Sequence, residues 1–382
     1  MVPAIVHEGI SKLVLLQAQA LYGLGYVVKL IALTKVDKGV LVNFAPVIPS
    51  ENIIELHQPD TYLSERALKV ALSASLKIKR LLANEKSAVV FAHAPYAHFL
   101  LRLAMLLGLK KHKSLTLWQY FHMTQYAEFP LVTLKRKFIH NLNKWLAERY
   151  DYGHIFVSNA VEEDIQSHLV TLRNSHIIYN AIPHINSNNQ LSVKNKAGEN
   201  RFTILLPGRV EVQKGQIWFL EPFSEFIKFE KLSPNQVQLV IAGIGSKLPE
   251  LECKIQQMGL ESYVQLVGKL PNREVVQQMK NSTIVVIPSL LEGFGLVCLE
   301  ALASCATVLS SDAGGLREII DHTKTGFLFK AKDVDDCLEK LSYLYRNRNK
   351  ELISRAEVDQ MLGTKFSFEK HIQQLTALIE RK

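Results

Sequence analysis

Residues 282–304 read STIVVIPSLLEGFGLVCLEALAS, and this stretch decides the fold. Its first seven residues, STIVVIP, form a short apolar run with the β-branched content typical of a buried strand. A loop with two glycines follows, and the apolar residues after that loop have the spacing of a helix. A strand, a loop and a helix in this order are the repeating part of a βαβ unit, so the stretch predicts a parallel sheet covered by helices.

The same alternation occurs in both halves of the chain and predicts two such sheets. The strand candidates are residues 26–33, 87–93, 114–120, 153–158 and 175–180 in the first half, and 201–208, 237–245, 263–270, 282–290 and 306–312 in the second. Helical stretches separate the first set, among them residues 11–22, 62–84 and 131–150. The strands of the second half are apolar on both faces, as parallel strands covered by helices must be. We therefore expect an α/β protein of two Rossmann-like domains facing each other across a cleft, with the ligand at the carboxyl ends of the strands.

A polar segment separates the two halves. Residues 184–200, HINSNNQLSVKNKAGEN, are rich in Asn and poor in large apolar side chains, which is typical of a linker or mobile loop. The sequence thus predicts an N-terminal domain at residues 1–183 and a second domain that begins at residue 201.

The composition is that of a globular protein. The chain has 382 residues, of which 48% are hydrophobic and 21% charged, enough for two or three domains. Its four cysteines occur singly, without a C-x-x-C pair or a zinc-ligand spacing, and are interpreted as reduced, buried thiols. No signal peptide is recognisable, and no apolar run reaches the roughly 18 to 20 residues that cross a bilayer. We therefore expect a cytoplasmic protein.

The net charge of +9 is concentrated in residues 1–150, where 19 Lys and Arg stand against 9 Asp and Glu. This excess favours a negatively charged partner, either an anionic membrane surface or a phosphate-bearing substrate, although a solvated basic face explains it equally well. No recognisable nucleic-acid-binding module accompanies the charge.

One basic segment is a candidate for reversible contact with the inner face of the cell membrane. Residues 134–149, LKRKFIHNLNKWLAER, combine Lys135, Arg136, Lys137 and Lys144 with Phe138, Leu142 and Trp145. An amphipathic helix packed against its own domain would have the same residues, so both interpretations stay open.

Two glutamates flank the glycine loop of the opening stretch. Gly293 and Gly295 allow backbone N–H groups to approach a ligand, and a helix that begins near Leu296 directs its positive end toward a phosphate. Glu300 in that helix is suited to accept hydrogen bonds from a ribose diol, and Glu292 in the loop is suited to contact a sugar. Surface carboxylates at a helix start are also favoured by the helix dipole, so the spacing alone is a weak signal.

The context of these residues is more specific. Residues 288–303, PSLLEGFGLVCLEALA, resemble the donor-site motif P-S-x-x-E-G-F-G-x-x-x-x-E-A-x-A of the retaining GT-B glycosyltransferases of family 4. Residues 205–215, LLPGRVEVQKG, resemble that family's G-R-x-x-x-x-K-G segment. The resemblance implies that Arg209 and Lys214 hold the donor diphosphate, whose negative charge grows as the glycosidic bond breaks.

Shorter matches follow in the family's order. Residues 241–246 resemble its strand and glycine loop, residues 264–279 its segment beside the nucleotide base, and residues 366–379 its terminal helix. The resemblance implies a donor domain at residues 201–360 and a returning terminal segment at residues 361–382. It also implies a set of donor-binding residues, which comprises Gly208, Arg209, Lys214, Gly243, Leu270, Gly293, Phe294, Gly295, Leu296 and Glu300.

Two histidines at strand ends in the first domain are candidates for a contact with the donor sugar. By strand order, His122 matches the family residue that reaches the transferred sugar, and His93 at the end of the preceding strand is the alternative. With His122, the catalytic set implied by the resemblance comprises Glu292, Arg209 and Lys214.

The resemblance implies a retaining hexosyltransferase that uses a nucleoside-diphosphate sugar as co-substrate. The acceptor would be a hydroxyl of a glycan, a lipid-linked sugar or a small molecule, in surface polysaccharide or glycolipid synthesis. No metal or other cofactor is expected, because the carboxylates at Asp333 and Asp335 are interpreted as belonging to a helix start.

Other functions remain open for such a chain. A phosphorylase or an epimerase would share the GT-B fold, and a non-catalytic subunit would bind the nucleotide sugar without transferring it. A dehydrogenase is disfavoured, because no strand is followed by G-x-G-x-x-G with an acidic residue about 20 positions further on.

Overall fold

The computed structural model describes residues 1–6, 9–42, 48–58, 65–83, 85, 87–108, 115–169, 172–183 and 201–381. The chain divides into two compact units, Met1–Asn180 with Glu369–Lys382, and Ala181–Phe368. The first unit therefore ends at Asn180 rather than at residue 183, and the terminal segment that belongs to it begins at Glu369 rather than at residue 361. The predicted linker lies outside the described residues.

Twelve strands are seen in the described part of the chain. They are β1 (Leu30–Ala32), β2 (Ile53–Glu55), β3 (Ala88–Ala92), β4 (Leu115–Phe121), β5 (Gly153–Phe156), β6 (Ser175–Ile177), β7 (Phe202–Pro207), β8 (Val237–Ala242), β9 (Val264–Gly268), β10 (Ile284–Ile287), β11 (Thr307–Ser311) and β12 (Phe327–Phe329).

The helices of the same residues alternate with these strands. They are α1 (Gly9–Gly23), α2 (Lys38–Val42), α3 (Glu65–Ala83), α4 (Pro95–Leu106), α5 (Gln125–Glu128), α6 (Leu134–Tyr150), α7 (Asn159–Gln166), α8 (Gln216–Glu230), α9 (Leu248–Gln257), α10 (Asn272–Asn281), α11 (Leu296–Ala303), α12 (Leu316–Ile319), α13 (Val334–Arg346), α14 (Arg355–Thr364) and α15 (Phe368–Glu380).

The first unit contains a two-stranded sheet, β1-β2, and a four-stranded sheet, β3-β4-β5-β6, and all pairings are parallel. The first residues of the chain lie between the two sheets, since Val2 N–H donates to Ile31 O and His93 N–H donates to Met1 O. These backbone bonds join β1 to β3 into one layer.

The second unit is a parallel sheet of six strands in the order β12-β11-β10-β7-β8-β9. Counted within the unit, this is the strand order of a doubly wound Rossmann sheet, which reverses between β7 and β10. The loops that leave the carboxyl ends of β7 and β10 lie at this reversal, and it is there that such sheets bind ligands.

The spacing of apolar residues explains how α8 covers this sheet. Phe219, Phe223, Phe226 and Ile227 recur at intervals of three and four, so they share one helix face. All four are buried in the core of the second unit, with Phe202 of β7 among the side chains of the same core.

Side-chain caps fix where several helices begin. Ser158 Oγ accepts from Val161 N–H at the start of α7, and the Asp333 side chain accepts from Asp336 N–H at the start of α13. Such caps satisfy backbone donors that have no partner within the helix. The interpretation of Asp333 as a helix-start carboxylate is thus confirmed.

A buried ion pair fastens the helices of the first unit to its sheet. Arg102 of α4 donates through Nε and Nη2 to the two carboxylate oxygens of Asp151, at 2.9 and 2.5 Å. Gln119 of β4 and His154 of β5 also contact this carboxylate, at 2.8 and 3.1 Å. Arg102 lowers the pKa of Asp151 to about 2 against the opposing effect of burial, so the carboxylate stays ionised.

The prediction that the cysteines are buried is wrong for two of them. Cys298 and Cys337 are buried, whereas Cys253 and Cys305 are exposed. Cys305 follows the end of α11 with φ at 62°, in a turn where its side chain is directed away from the core.

No helix in the described ranges combines the length and the apolar character needed to cross a membrane.

Candidate functional site

Two loops at the strand-order reversal of the second unit pack backbone against backbone. One leaves β7 at residue 208 and the other leaves β10 at residue 288. Leu290 N–H donates to Gln213 O at 2.8 Å, and a Cβ on Gly215 would lie 1.9 Å from Pro288 O. The glycine is required both by this contact and by its φ of 73°. The two predicted motifs are therefore neighbours in space.

This packing joins Lys214 to Glu292. The ammonium nitrogen of Lys214 lies 2.7 Å from Glu292 Oε2, and the two side chains are 25% and 13% exposed. Ser289 Oγ donates to the same carboxylate oxygen at 3.0 Å. A cation and a carboxylate that are 78 residues apart in sequence thus form one polar group at the carboxyl ends of the strands.

Arg209 lies in the same loop with an exposed side chain. Its guanidinium makes no hydrogen bond or ion pair with any residue that the structure describes. The neighbouring Glu211 is held by Ser246, whose N–H and Oγ donate to its two oxygens at 2.9 and 2.6 Å. These hydrogen bonds lower the pKa of Glu211, and Arg209 contributes further. Of the two predicted cations, Arg209 is the one directed toward solvent.

Glycines allow the other loops to approach this group. A Cβ on Gly243, after β8, would lie 1.8 Å from Gly208 O, and one on Gly314, after β11, would lie 1.9 Å from Glu292 O. Loops from four neighbouring strands thus converge at backbone contact distance.

The residues from Gly293 to Leu296 lead into α11. Gly295 has a φ of 111° and precedes the first turn of the helix. Phe294 is 2% exposed and packs edge-on against Phe366 at 5.8 Å, so its side chain holds the loop in place. Only the backbone of this residue is available to a ligand at that position.

Glu300 and Leu270 are both half-buried. Glu300 lies in the second turn of α11. Leu270 lies two positions after the end of β9, the edge strand of the sheet.

His122 belongs to the first unit, directly after β4. Its Nε2 lies 3.0 Å from Nδ1 of His93, and its ring stacks on Tyr120 with centroids 4.6 Å apart. Burial, together with a smaller effect of His371, lowers the pKa of His122 to about 3. Both sequence candidates are therefore neutral and bound to each other, and His93 is the more deeply buried at 5% exposure.

Sequence reasoning missed Ser289, Glu211 and Ser246. Ser289 stands three positions before Glu292. This spacing is compatible with a contact between the two side chains, but it does not show that the serine hydroxyl donates to the carboxylate. Nothing in the sequence indicates that Glu211 and Ser246 meet, because they lie on loops after different strands.

No metal site is seen in the part of the chain that the structure describes. No group of three or more His, Cys, Asp or Glu side chains there is arranged to hold an ion.

The two Rossmann-like units define the GT-B fold, and solved structures share it. HepE from Anabaena, in complex with UDP and glucose, superposes with a TM-score of 0.77 at 17% identity over 98% of this chain and 96% of its own. The lipopolysaccharide outer core galactosyltransferase WaaB superposes with a TM-score of 0.71 at 17% identity over 99% of each chain. At such identities the likeness shows the fold alone.

Family models match nearly the whole chain. Glycosyltransferase Family 4 matches residues 7–184, and Glycosyl transferases group 1 matches residues 187–358. The chain belongs to the family 4 glycosyltransferases.

Curated relatives match a smaller part. An uncharacterized glycosyltransferase of Methanocaldococcus jannaschii is 32% identical over 190 residues, 47% of each chain. D-inositol 3-phosphate glycosyltransferase of Corynebacterium jeikeium is 29% identical over 178 residues, 45% of this chain and 42% of its own. The matched part thus spans less than half the length of these relatives.

Proposed function

We propose that the protein is a retaining hexosyltransferase that moves a sugar from a nucleoside-diphosphate sugar to an acceptor hydroxyl. The contact between Lys214 and Glu292 at the strand-order reversal supports this most directly. It puts a cation for a leaving diphosphate beside a carboxylate for the sugar, and both lie where a Rossmann sheet binds its nucleotide. HepE has been solved with UDP and with UDP-glucose, so UDP is the first nucleotide to test.

The proposed reaction needs no protein nucleophile. The bond between the sugar and the diphosphate breaks, and the acceptor hydroxyl attacks from the face that the diphosphate leaves. Its proton passes to a phosphate oxygen as the new glycosidic bond forms. Arg209, Lys214 and the N-terminus of α11 would stabilise the negative charge that develops on the diphosphate. His122 of the first unit remains the proposed contact with the transferred sugar.

Slow hydrolysis of nucleotide sugars tests this function, because it requires no knowledge of the acceptor. A panel of donors should include at least one that the protein hydrolyses without added phosphate. A requirement for inorganic phosphate would indicate a phosphorylase, and binding without hydrolysis or transfer would indicate a non-catalytic subunit.

The diphosphate site can be tested by stability. UDP at a hundredfold excess over its dissociation constant should add about 2.7 kcal/mol to the free energy of unfolding. The gain should vanish in Arg209→Ala with Lys214→Ala. Lys228→Ala with Lys254→Ala is the matched control, since it removes two exposed cations from the last turns of α8 and α9, at the other end of the strands. Equal responses of both variants would show that the site is misplaced.

We also propose that no metal ion takes part, because two side-chain cations and a helix N-terminus are available for the diphosphate charge. Hydrolysis by enzyme treated with EDTA should equal that of the untreated enzyme. Loss of activity that Mg²⁺ or Mn²⁺ restores would contradict this.

The proposed acceptor is a glycan, a lipid-linked sugar or a small molecule, and we propose that the enzyme works at the inner face of the cell membrane in surface polysaccharide or glycolipid synthesis. An exposed segment in the first unit supports the location. Val132, Leu134 and Phe138 are 71%, 85% and 69% exposed, and exposed cations lie among them at residues 135–137.

Packing of α6 against its own unit accounts for only some of the large apolar side chains of this helix. Leu142 packs against the core and Leu146 is fully buried, whereas Phe138 and Trp145 are exposed. Large apolar side chains among cations are typical of a helix that lies on an anionic bilayer.

Co-sedimentation with lipid vesicles tests this contact. Binding should require phosphatidylglycerol, weaken as salt is added, and fall in Leu134→Ser with Phe138→Ser. Phe229→Ser is the control, since Phe229 is 60% exposed in the second unit. Equal binding to phosphatidylcholine and phosphatidylglycerol vesicles would rule out the proposal.

A further inference from the structure

We propose that Ser289 is the positioning residue for Glu292, and that Lys214 moves from Glu292 to the diphosphate when the donor binds. This inference rests on the proposed function and assigns roles within the same site. Three contacts carry it: the two to Glu292 Oε2 described above, and a hydrogen bond from Ser311 that fixes the backbone of Ser289.

The first observation is that the ammonium group of Lys214 is already paired with a carboxylate. Its ammonium lies 2.7 Å from Glu292 Oε2, while Arg209 in the same loop has an exposed side chain. A diphosphate that approaches Lys214 therefore approaches a carboxylate too. Two anions around one ammonium repel each other, so the diphosphate must compete with Glu292 for Lys214.

The second observation is that Glu292 also accepts a hydrogen bond from Ser289. Unlike Lys214, this donor is uncharged, and the diphosphate does not compete for it. Ser289 Oγ donates to Glu292 Oε2 at 3.0 Å and Ser289 is 1% exposed. A neutral hydroxyl in this position keeps its hydrogen bond to the carboxylate when the ammonium leaves. Glu292 would then stay in place, and the carboxylate that Lys214 had contacted would be available to the sugar.

The third observation is that Ser289 itself is fixed. Ser311 Oγ donates to Ser289 O at 2.6 Å, which ties the loop after β10 to the end of β11. A side chain on a fixed backbone can orient its partner with little loss of entropy.

If Lys214 exchanges Glu292 for the diphosphate, replacing Glu292 should change UDP affinity in a defined direction. Glu292→Gln removes the competitor for Lys214, so UDP should bind more tightly than to the wild type, by about tenfold for one lost charge-assisted contact. Lys214→Met should weaken binding. If Lys214 instead held both anions at once, Glu292→Gln would leave UDP affinity unchanged or lower.

Glu211→Gln is the matched control for charge. Glu211 is a carboxylate on the same loop as Lys214, but it is bonded to Ser246. If removing any nearby negative charge tightened UDP binding, this variant would do so equally, and the proposed exchange would be overturned.

Ser289 is tested by separating binding from turnover. Ser289→Ala should leave UDP affinity unchanged, because its hydroxyl does not contact the diphosphate, and should lower the rate of donor hydrolysis about tenfold. Ser289→Thr keeps the hydroxyl and should recover part of that rate. Ser310→Ala is the control for removing a buried serine from the same sheet, since Ser310 Oγ bonds only to backbone oxygens of described residues.

Calorimetry with UDP and hydrolysis of the full donor, on the same preparations, decide the outcome. If the wild type binds no nucleoside diphosphate, the proposed function and this inference both fail. If the wild type binds and hydrolyses but Glu292→Gln does not tighten binding, the exchange alone is wrong. If Ser289→Ala turns over like the wild type, Ser289 has no positioning role.

Discussion

Glu300 and Glu292 lie on the same strand–loop–helix stretch but in different surroundings. Glu292 is held by Lys214 and Ser289, whereas Glu300 lies within α11, where its backbone carbonyl accepts from Ser304 N–H and Oγ. The two glutamates belong to one sequence motif but have different surroundings in the structure. The two side chains should therefore respond differently to substitution.

The free nucleoside diphosphate should bind more weakly to Glu300→Gln than to the wild type. If Glu300 accepts from a ribose diol, the substitution replaces a charged acceptor with a neutral one of the same shape. Hydrogen bonds to charged groups are worth about 1.5 to 3 kcal/mol, which corresponds to roughly 10- to 150-fold in affinity. Calorimetry with UDP measures this, with Glu225→Gln on the exposed face of α8 as the control. Wild-type affinity in Glu300→Gln would remove Glu300 from the nucleotide site.

At this scale the sequence predicted residue types but not their partners. The motifs indicated Lys214 and Glu292 as separate functional residues, yet nothing in either motif showed that they touch. Their contact depends on the packing of two loops that are far apart in sequence, which only the folded sheet determines.

Among the elements, the long apolar runs were easier to predict than the short ones. The strands β4 and β7 begin and end close to the expected residues, and β8 begins at the expected residue, because each has at least four successive apolar or β-branched side chains. β2 and β12 were missed, since strands of three residues are too short to show a period. The run at residues 26–33 forms only the three-residue strand β1.

The contact between the loops after β7 and β10 should be sensitive to a single methyl group. Gly215→Ala would put a Cβ 1.9 Å from Pro288 O at a φ of 73°, so the two loops would have to separate. We expect at least about 1 kcal/mol of destabilisation and weaker UDP binding. Urea unfolding and calorimetry measure the two effects.

Gly363→Ala is the matched control. A Cβ at Gly363 within α14 would meet no atom within 4 Å, so this substitution should stabilise the protein by up to about 1 kcal/mol. Equal effects of the two substitutions would show that the loop contact is not tight.

For the whole molecule, the buried histidines of the first unit make stability depend on pH. Burial lowers the pKa of His98 to about 3 and of His371 to about 4, whereas histidine in an unfolded chain titrates near 6.5. The unfolded chain therefore binds protons that the folded chain does not. Their stabilising contribution is fully present above pH 6.5 and is lost as the pH falls from there toward 3.

At pH 5.5 each of these two histidines should cost about 1.4 kcal/mol relative to neutral pH. Urea unfolding at pH 7.5 and 5.5 measures this loss of stability. The substitution His98→Phe should remove about half of the loss that the two histidines cause together. His57→Gln is the control, because the His57 side chain is 76% exposed. A loss of stability that is the same in His98→Phe as in the wild type would show that His98 does not contribute.

The return of α15 to the first unit also determines the order in which the chain can finish folding. Ile372, Leu375 and Leu378 are buried, and His371 is bonded to Gln17 and to the Tyr179 carbonyl. A ribosome delivers these residues only after all of Ala181–Phe368, which takes roughly 10 to 40 s at about 5–20 residues per second. During that interval part of the apolar surface of the first unit stays uncovered, and when the interval ends the second unit has every residue it needs. The unit that is synthesised second is thus the one that can be completed first.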